Sequence, residues 1–441
     1  MSVEATPGTV RSWGLPGPFD HLLLTPASVG EISFPVDDSW LAHGNGRSYG
    51  DVALNTGHTL LRTRRLDRYV GFDEQTGLLE CEAGVLLSAI VEDFSQRGWF
   101  LPVVPGTRHV TVGGAIANDV HGKNHHAMGS FGDQVDAVRL LRTDGAVVEC
   151  SREHNADWFA ATIGGLGLTG LITHARIRLR RVRSGWIRVS ARRFRGLDAF
   201  FELNAQAEAT HEYTVSWIDC LSGAEGLRGV LLAGDHADEG PDPDAALFPM
   251  PPRRVSFPLT PPFSLVNPLS LRLFNTAYFH KAPEEASFLQ QGWDYFWPLD
   301  KIEHWNRIYG RRGLLQYQFV VPPPVARDAI SEVLGLLRAE GTGSFLAVLK
   351  TFGDRAAPGM LSFARPGLTL ALDFPNDPKV HALFARLDTV IAAFGGALYP
   401  AKDARGSGAL FHSAYPRWAE FQRYRDPSIS STFARRMEAS R

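Results

Sequence analysis

Two glycine-rich segments in the first third of the chain constrain its fold more than any other feature. The first spans residues 43–51, with glycines at 44, 46 and 50, and the second spans residues 105–126, with glycines at 106, 113, 114 and 122. Glycine adopts positive φ without steric cost, so clustered glycines can turn backbone amides toward one anion. Taken alone, the first segment is equally compatible with a plain surface turn.

The second segment also predicts the start of a helix. Thr111 is a suitable N-cap for a helix that begins near Val112, and Gly113 and Gly114 would then lie in its first turn. Exposed amides at such a start favour a phosphate, and two amide sites in one domain suit a dinucleotide held across its pyrophosphate. Residues 164–170 fit GxGxxG, but a helix precedes them and a strand follows, so we interpret them as a tight crossing near the cofactor.

The composition is that of an ordinary folded protein. The chain has 441 residues, of which 44% are hydrophobic and 21% charged, with a net charge of −2. This length predicts two or three domains, and the near-neutral charge argues against nucleic acid as a main partner. Cys81, Cys150 and Cys220 are too scattered for a disulfide framework and indicate a reducing compartment. We see no signal peptide and no apolar run of about 18 residues, so we expect a cytoplasmic protein that at most contacts the inner membrane face.

Apolar patterning predicts an α+β architecture that changes character near residue 185. Before it, short strands and two hairpins dominate, with a helix over 85–97 that ends at Gly98. After it, strands alternate with helices, which indicates a separate sheet covered by helices. The predicted strands are 40–43, 69–84 and 135–150 as hairpins, 171–182, 186–193, 212–220, 315–321, 344–350 and 368–374, and the later helices are 196–207, 325–340 and 379–394.

Three further patterns leave alternatives open. Residues 241–268 contain nine prolines, which exclude a helix or a central strand and leave a lid or a disordered segment. His121, His125 and His126 have a spacing seen in zinc sites, but no third ligand is evident, so we favour no metal. Residues 176–183 alternate arginine with apolar residues, which favours a half-buried strand over a contact with lipid headgroups.

Several longer motifs resemble one flavoprotein family. GRSYGD at 46–51 and PGTRHVTVGGAIANDVHGKNHH at 105–126 are similar to the FAD-binding domain of PCMH-type, or vanillyl-alcohol-oxidase-like, flavoproteins. Within that superfamily they resemble the decaprenylphosphoryl-β-D-ribose 2′-oxidase family. The resemblance covers almost the whole chain, because it continues through WNRIYG at 305–310, LQYQFV at 315–320, DFP at 373–375, AKD at 401–403 and YPR at 415–417.

The resemblance implies a two-domain fold and a reaction. An FAD-binding domain would span 1–185, a substrate domain with an antiparallel sheet 186–395, and a tail over 396–441 would return to the FAD domain. The implied reaction is FAD-dependent oxidation of the 2′-hydroxyl of a polyprenyl-phosphoryl-β-D-ribose. It is the first half of an epimerisation toward the arabinose donor of cell-envelope polysaccharides, which a separate NAD(P)H-dependent keto-sugar reductase completes.

Two other functions remain open from the residues. One is FAD-dependent oxidation of a soluble alditol, sugar lactone or other secondary alcohol. The other is a histidine-rich metal-binding or scaffold protein, which would leave both glycine segments without a ligand. A flavin spectrum separates the scaffold from the two enzymes.

The resemblance also implies site residues. Lys402 is expected near the flavin and the reacting hydroxyl, and His121 is expected to handle the proton or to orient the substrate. Without the resemblance, Lys402 would be interpreted as a surface lysine beside Asp403. The implied substrate contacts are Lys123, Gln316, Gln318, Lys350, Phe352, Thr369 and Phe296. The implied cofactor contacts are Ala42, His43, Gly44, Asn45, Gly46, Arg47, Ser48, Tyr49, Gly50, Asp51, Val52, Gly106, Thr111, Val112, Gly113, Gly114, Asn118, Asp119, Val120, His121, Ile172, Tyr399 and Lys402.

The sequence departs from the family pattern at three pocket positions. Ala371 stands where a family cysteine is expected, so thiol chemistry is excluded, and Thr369 and Phe296 stand where the family has Asn and Tyr. These changes leave the exact sugar and lipid open.

Two last expectations concern the flavin and the membrane. No histidine lies between residues 44 and 50, so FAD is expected to be bound non-covalently, although His43 adjoins that loop. A polyprenyl tail leaves the bilayer only at a high free-energy cost, which predicts a peripheral membrane contact. The candidate contact residues lie beside Arg253 and Arg254 and are Leu247, Phe248, Met250, Val255, Phe257, Leu259 and Phe263.

Overall fold

Three main sheets organise the computed structural model, which describes residues 4–15, 17–34, 38–241, 248 and 255–439. They have four, five and eight strands, and two two-stranded pairs accompany them. We call them the small, middle and large sheets. The described chain is therefore a mixed α+β protein, as predicted.

The small sheet and the middle sheet are built from the first part of the chain. In spatial order, the small sheet consists of Thr6–Val10, Phe19–Leu24, Thr59–Arg62 and Trp40–His43, and its last two pairings are parallel. The middle sheet is antiparallel and consists of Tyr69–Asp73, Leu78–Glu82, Leu171–Arg178, Val135–Leu141 and Val147–Ser151.

Short-range predictions in this part of the chain are confirmed. Both hairpins form, and the first helix, Leu87–Phe94, continues as a 3₁₀ turn over Ser95–Arg97 and ends at Gly98, where φ is +75°. The helix Ala156–Thr162 precedes residues 164–170, and a strand follows them, so the GxGxxG match is not a Rossmann turn. The remaining helices here are Val112–Ala117 and His125–Met128.

The arginine-rich strand is half buried, as expected from its alternation. Arg176 and Arg178 lie on its exposed side, where both guanidinium groups pair with Asp136 at 2.7 and 3.4 Å. The intervening Ile177 is buried in the hydrophobic core.

The large sheet is antiparallel throughout, and helices cover one of its faces. Leucines such as Leu334, Leu337 and Leu387 from those helices are fully buried against the sheet. The helices are Leu197–Glu208, Ala326–Glu340 and Pro378–Ala393. The strands, in spatial order, are Glu285–Gln291, Trp186–Arg195, Arg228–His236, Tyr213–Ile218, Val348–Phe352, Gly367–Pro375, Leu314–Val321 and Ala397–Leu398.

The described residues of the proline-rich segment before Pro268 form neither a helix nor a central strand, as predicted. Val255–Ser256 forms a short parallel pair with Ile302–Glu303, and a helix over Pro268–Lys281 follows, capped by the side chain of Asn267. Phe248 is 1% exposed and stacks on Phe100. The expectation that Phe248 contacts a membrane was therefore wrong, because its ring completes the core. Residues 242–247 and 249–254, which include Leu247, Met250, Arg253 and Arg254, lie outside the described residues.

The C-terminal residues pack against the small sheet. The main-chain N–H of Trp40 donates to the Ser428 carbonyl at 3.0 Å, and Arg436 pairs with Asp51 at 2.8 Å. The helices of this region are Gly408–Ala414, Trp418–Phe421 and Thr432–Ala439, and Gly292–Phe296 completes the set outside it. The division of the chain at residues 185 and 395 stays a prediction. Within the described ranges, no helix combines the length and the apolar content needed to cross a bilayer.

Candidate active site

A large cavity separates the two glycine-rich segments from the uncovered face of the large sheet. Its volume is about 930 Å³, at the upper end of the range of about 300–1,000 Å³ that ligand pockets occupy. One wall comes from the glycine segments and the floor comes from the large sheet. Residues on three floor strands, Gln318, Ala371 and Val348, lie side by side across the sheet and all line the cavity.

The two glycine segments form a single wall because they touch. A Cβ on Gly44 would lie 2.5 Å from Thr111 Oγ1, so only glycine permits this approach. Asn45 Nδ2 donates to the His109 carbonyl at 2.6 Å, and Thr111 Oγ1 accepts from the Gly114 N–H at 3.1 Å. The predicted cap at Thr111 is confirmed.

This wall presents hydrogen-bonding groups that the described protein does not satisfy. The main-chain N–H groups of Gly44, Asn45, Gly46 and Ser48 have no acceptor within the described residues. The buried side-chain oxygen of Asn118 likewise has no partner there. Clustered amides without acceptors suit the oxygens of a pyrophosphate, so the residues present fit FAD.

The C-terminal segment brings Lys402 into the cavity. The Tyr49 N–H donates to the Ala401 carbonyl at 2.9 Å, and a Cβ on Gly50 would lie 1.7 Å from the Asp403 carbonyl oxygen. This close approach places Lys402 Nζ 3.8 Å from the centre of the Tyr49 ring. Burial lowers the pKa of Lys402 below its usual range.

Asp373 lies on the cavity floor at the same end and was not among the predicted site residues. It is paired across the sheet with Gln316, whose Nε2 donates to Asp373 Oδ1. The other oxygen, Oδ2, is buried without a hydrogen-bond partner in the described residues. Burial raises the pKa of this carboxyl. The strand alternation places Thr369, Ala371 and Asp373 on one face, a signal that could have identified it.

His121 lies in the middle of the cavity, between two side chains. Its Nδ1 is 2.8 Å from Lys350 Nζ, its Nε2 is 3.2 Å from the Gln318 side-chain amide, and its ring packs edge-on against Phe352 at 4.9 Å. Burial and the neighbouring Lys350 charge hold the pKa of His121 well below its usual value. The imidazole is therefore neutral near pH 7, and both of its nitrogens are engaged.

Lys123 and Lys350 give the other end of the cavity an excess of positive charge. Lys123 Nζ donates to the Phe296 carbonyl at 2.9 Å, and Lys350 Nζ donates to the Gly122 carbonyl. Burial lowers the pKa of Lys123 to about 8, and burial together with Lys123 lowers the pKa of Lys350 to about 7. No carboxylate of the described residues forms an ion pair with either lysine, which leaves both charges uncompensated.

Comparisons with known proteins identify the family. A family model described as an FAD binding domain matches residues 37–151. The chain is 36% identical over 412 residues to decaprenylphosphoryl-beta-D-ribose oxidase of Mycolicibacterium smegmatis, in an alignment that covers 90% of this chain and 89% of that relative. The chain belongs to the decaprenylphosphoryl-β-D-ribose oxidase family. It is therefore an FAD-dependent oxidoreductase, and the scaffold alternative is wrong.

Two other relatives place this family member in a wider group. An uncharacterised protein of Streptomyces coelicolor is 32% identical over 80% of this chain and 100% of its own length. L-gulonolactone oxidase of Mus musculus is 34% identical over 131 residues, which is 29% of each chain. The second similarity covers less than a third of either chain, so it does not bear on the substrate.

Most of the residues that the family resemblance assigned to the site line the cavity of this oxidase. The lining residues on the cofactor side are Ala42, Gly44, Asn45, Gly46, Arg47, Ser48, Tyr49, Val52, Gly106, Thr111, Gly113, Gly114, Asn118, Val120, His121, Ile172, Tyr399 and Lys402. Those on the substrate side are Lys123, Phe296, Gln316, Gln318, Lys350 and Thr369.

Three of the implied cofactor residues in or beside the first loop do not line the cavity. His43 is buried behind the loop, where its Nδ1 lies 2.8 Å from the Ala53 carbonyl. Asp51 pairs with Arg436, and Gly50 lies against the carbonyl of Asp403. These residues support the shape of the loop and its contact with the C-terminal segment.

Three more of the implied residues stand behind the wall or the floor. Val112 is buried in the hydrophobic core. Asp119 accepts a hydrogen bond from the Gly132 N–H at 2.8 Å, which fixes the turn before His121. Phe352 contacts the His121 ring and not the cavity. Alternation along a strand or helix separates such residues from their cavity-lining neighbours, which motif matching alone does not reveal.

The cavity also has an apolar end that the sequence did not predict. Phe274, Tyr278 and Ile302 line the cavity and are about 40% exposed at the protein surface, so the cavity opens there. Trp217 and Trp305 complete this end. The helix Pro268–Lys281 that carries two of these residues was not predicted, because the proline-rich stretch before it dominated the local signal.

The described residues hold no group of three or more His, Cys, Asp or Glu side chains placed to bind a metal ion. His121 and His125 do not share one helix, since Val112–Ala117 ends before the first and a separate helix begins at the second.

Proposed function

We propose that this oxidase converts the 2′-hydroxyl of a polyprenyl-phosphoryl-β-D-ribose to a ketone. The observation that carries the proposal is a pair of cavity lysines without a counter-charge, of which Lys350 is buried and Lys123 is partly buried. A buried unpaired cation is costly, and an anionic ligand removes that cost. The phosphodiester of such a substrate supplies the anion, and its ribose would then reach toward His121 and Lys402. The name of the Mycolicibacterium relative carries the same substrate.

The protein's own residues would divide the work as follows. FAD, when bound, supplies the two-electron acceptor. Lys402 stabilises negative charge on the hydroxyl oxygen as it develops, in a site where burial strengthens the interaction. His121 orients the sugar, because its two ring nitrogens are already held by Lys350 and Gln318. Lys123 and Lys350 bind the phosphate.

FAD would be held non-covalently by the glycine-rich wall, within an FAD-binding domain of residues 1–185 to which the tail from 396 returns. The loop 44–50 has no histidine, and His43 lies behind the wall. Acid precipitation of the purified protein should leave the yellow colour in the supernatant. A yellow pellet that does not wash out contradicts non-covalent binding.

Anaerobic bleaching of the bound flavin tests the substrate. Farnesylphosphoryl-β-D-ribose should bleach it, whereas xylitol, a free sugar lactone and farnesyl β-D-riboside without phosphate should bleach it at least tenfold more slowly at equal concentration, since each loses charge-assisted contacts. Equal bleaching by a soluble alditol or lactone would favour the alternative substrate class.

The apolar end of the cavity supports a peripheral contact with the inner membrane face. Leu269 and Leu273 are 68% and 64% exposed on the helix whose Phe274 lines the cavity, and Leu259 and Phe263 are exposed nearby. We expect the polyprenyl chain to leave the cavity over this helix and to remain in the bilayer. Exposed apolar clusters of this kind mark interaction sites.

Vesicle co-sedimentation tests this contact. The double variant L269S/L273S should bind anionic vesicles several-fold less than the wild type and retain its FAD. The matched control is V70S/V147S, which removes exposed apolar side chains from the middle sheet. Equal loss in both variants, or no loss in the first, contradicts the contact.

A separate NAD(P)H-dependent reductase would be the partner that uses the product. The oxidase alone, supplied with substrate, oxygen and NADPH, should accumulate the 2′-keto sugar without forming arabinose. Formation of the arabinose epimer by the isolated protein contradicts the need for this partner.

A further inference from the structure

One oxygen of the buried Asp373 carboxylate accepts a hydrogen bond, and the other has no partner among the described residues. The side chain is on a residue only 1% exposed, and it lines the cavity. Gln316 satisfies Oδ1, the main-chain N–H of Asp373 donates to Ser344 Oγ at 2.9 Å, and Oδ2 has no partner among the described residues. A buried acceptor left unmatched is destabilising, so a residue of this kind in a ligand cavity indicates a donor on the ligand.

Lys402 and Asp373 shift each other's pKa but do not form a direct ion pair. The charge of each group shifts the pKa of the other toward its charged form. Even so, within the described chain no carboxylate oxygen lies at ion-pair distance from Lys402 Nζ, which lies instead over the Tyr49 ring. A hydroxyl group is complementary to this pair, because its hydrogen can be donated to a carboxylate while its oxygen accepts from an ammonium group.

We propose that Asp373 and Lys402 hold the reacting hydroxyl between them and that Asp373 Oδ2 accepts its proton. This inference rests on the proposed function and names the residue that function leaves open. The O–H bond breaks and its proton moves to Oδ2. The electron pair left on oxygen forms the carbonyl, and the hydrogen on the same carbon departs as hydride, with two electrons, to the FAD that the family uses as oxidant.

His121, the other candidate for the proton acceptor, is less suitable than Asp373. His121 is neutral, and both its nitrogens already have side-chain partners, so accepting a proton would require one of those contacts to break. Asp373 Oδ2 needs no such change. Burial also raises the pKa of Asp373, which makes it a stronger base than a surface carboxylate.

The first test uses the wild-type holoenzyme and modified ligands. Binding of farnesylphosphoryl-β-D-ribose and of its 2′-deoxy and 2′-deoxy-2′-fluoro analogues is measured anaerobically by equilibrium dialysis on the reduced enzyme, which cannot oxidise the sugar. The 2′-deoxy analogue should bind about 10- to 100-fold more weakly, because it lacks a hydrogen bond to a charged group. Fluorine accepts but does not donate, so the fluoro analogue keeps an acceptor for Lys402 but loses the hydrogen bond to Asp373, and it should also bind at least about tenfold more weakly than the ribose ligand. Binding of the fluoro analogue as tight as that of the ribose overturns the proposal.

The second test uses D373N, which keeps the shape of the side chain and removes its charge. The affinity ratio between the ribose ligand and its 2′-deoxy analogue should fall to less than about threefold, and flavin reduction should slow by about 100- to 10,000-fold. D388N is the matched control. Asp388 is a partly buried carboxylate, held by Arg405 and Tyr317 outside the cavity, and its loss should leave the ratio unchanged.

The results distinguish a failure of the proposed function from a failure of the proposed role of Asp373. If the ribose substrate does not bleach the wild-type flavin, the proposed function fails. If it does and D373N keeps the wild-type ratio and rate, the role of Asp373 fails. If D373N does not retain FAD, the binding of the 2′-deoxy-2′-fluoro analogue to the wild-type enzyme decides whether the 2′-hydroxyl donates to Asp373.

Discussion

Lysine side chains lie at both ends of the cavity, but in opposite electrostatic surroundings. At one end, Lys402 lies near the carboxylate of Asp373. At the other, Lys123 and Lys350 repel each other, and no carboxylate of the described residues pairs with them. Burial lowers the pKa of all three lysines, so it does not distinguish them. The charged neighbours do distinguish them. This difference indicates that the Lys402 end acts on a hydroxyl group and that the end with Lys123 and Lys350 binds an anion.

The positions on the floor set the main-chain distance between the two ends of the cavity. Asp373 and Thr369 lie on the same strand face, and Lys350 is paired with Thr369 across the sheet. Thr369 and Asp373 are four positions apart on this strand, which places their Cα atoms about 13 Å apart at about 3.3 Å per residue. Between them lies Ala371, whose small side chain leaves room for a sugar on the floor.

The largest effect is expected at the Lys402 end. Lys402→Met should lower the limiting rate constant of anaerobic flavin reduction by about 100- to 1,000-fold, because charge on the reacting oxygen loses its stabilising donor. FAD content and substrate affinity should change little. Stopped-flow absorbance measures the rate, and Lys379→Met, an exposed lysine on a helix, is the control. An unchanged limiting rate would exclude Lys402 from catalysis.

A smaller effect of a different kind is expected at the phosphate end. Lys350→Met and Lys123→Met should each weaken binding of the phosphoryl substrate about 10- to 100-fold, while the limiting reduction rate stays within about tenfold. Binding of farnesyl β-D-riboside, which lacks the phosphate, should change far less. If both ligands lose affinity equally, these lysines do not recognise the phosphate.

The smallest effect concerns stability without substrate. Lys350 has a pKa of about 7 in the folded protein against an ordinary value of 10.5. Between these values the unfolded chain binds more protons, so the free energy of unfolding should rise with pH across that range. Lys350→Met should remove this slope and stabilise the substrate-free protein by about 1 kcal/mol or more near pH 7. Chemical denaturation from pH 6 to 9 measures both, and a steeper slope in the variant would contradict the uncompensated charge.

Local features of this fold were predictable from sequence because they depend on neighbouring residues. The Thr111 cap, the two hairpins and the helix stop at Gly98 each follow from a few adjacent side chains. The helix over Pro268–Lys281 was missed for an equally local reason. Its cap, Asn267 with Ser270 three residues later and Pro268 between them, is a recognisable start signal that the eight preceding prolines of 241–268 obscured.

The electrostatic partners in the cavity were not predictable in this way. Gln316 meets Asp373 because two strands far apart in the chain pair in one register. Lys402 meets Tyr49 because the C-terminal segment returns to the first glycine loop. The family resemblance implied Lys402 and the phosphate lysines, but it did not imply Asp373, since a motif match does not say which side chain faces a cavity. That assignment needed the strand pairing and the unsatisfied oxygen.

A crystal structure of the reduced holoenzyme with farnesylphosphoryl-β-D-ribose, prepared anaerobically, tests the division between the two ends most directly. We expect phosphate oxygens at hydrogen-bond distance from Lys123 and Lys350, and the 2′-oxygen between Lys402 Nζ and Asp373 Oδ2. A phosphate bound beside Lys402, or a 2′-oxygen beside Lys350, would contradict this division.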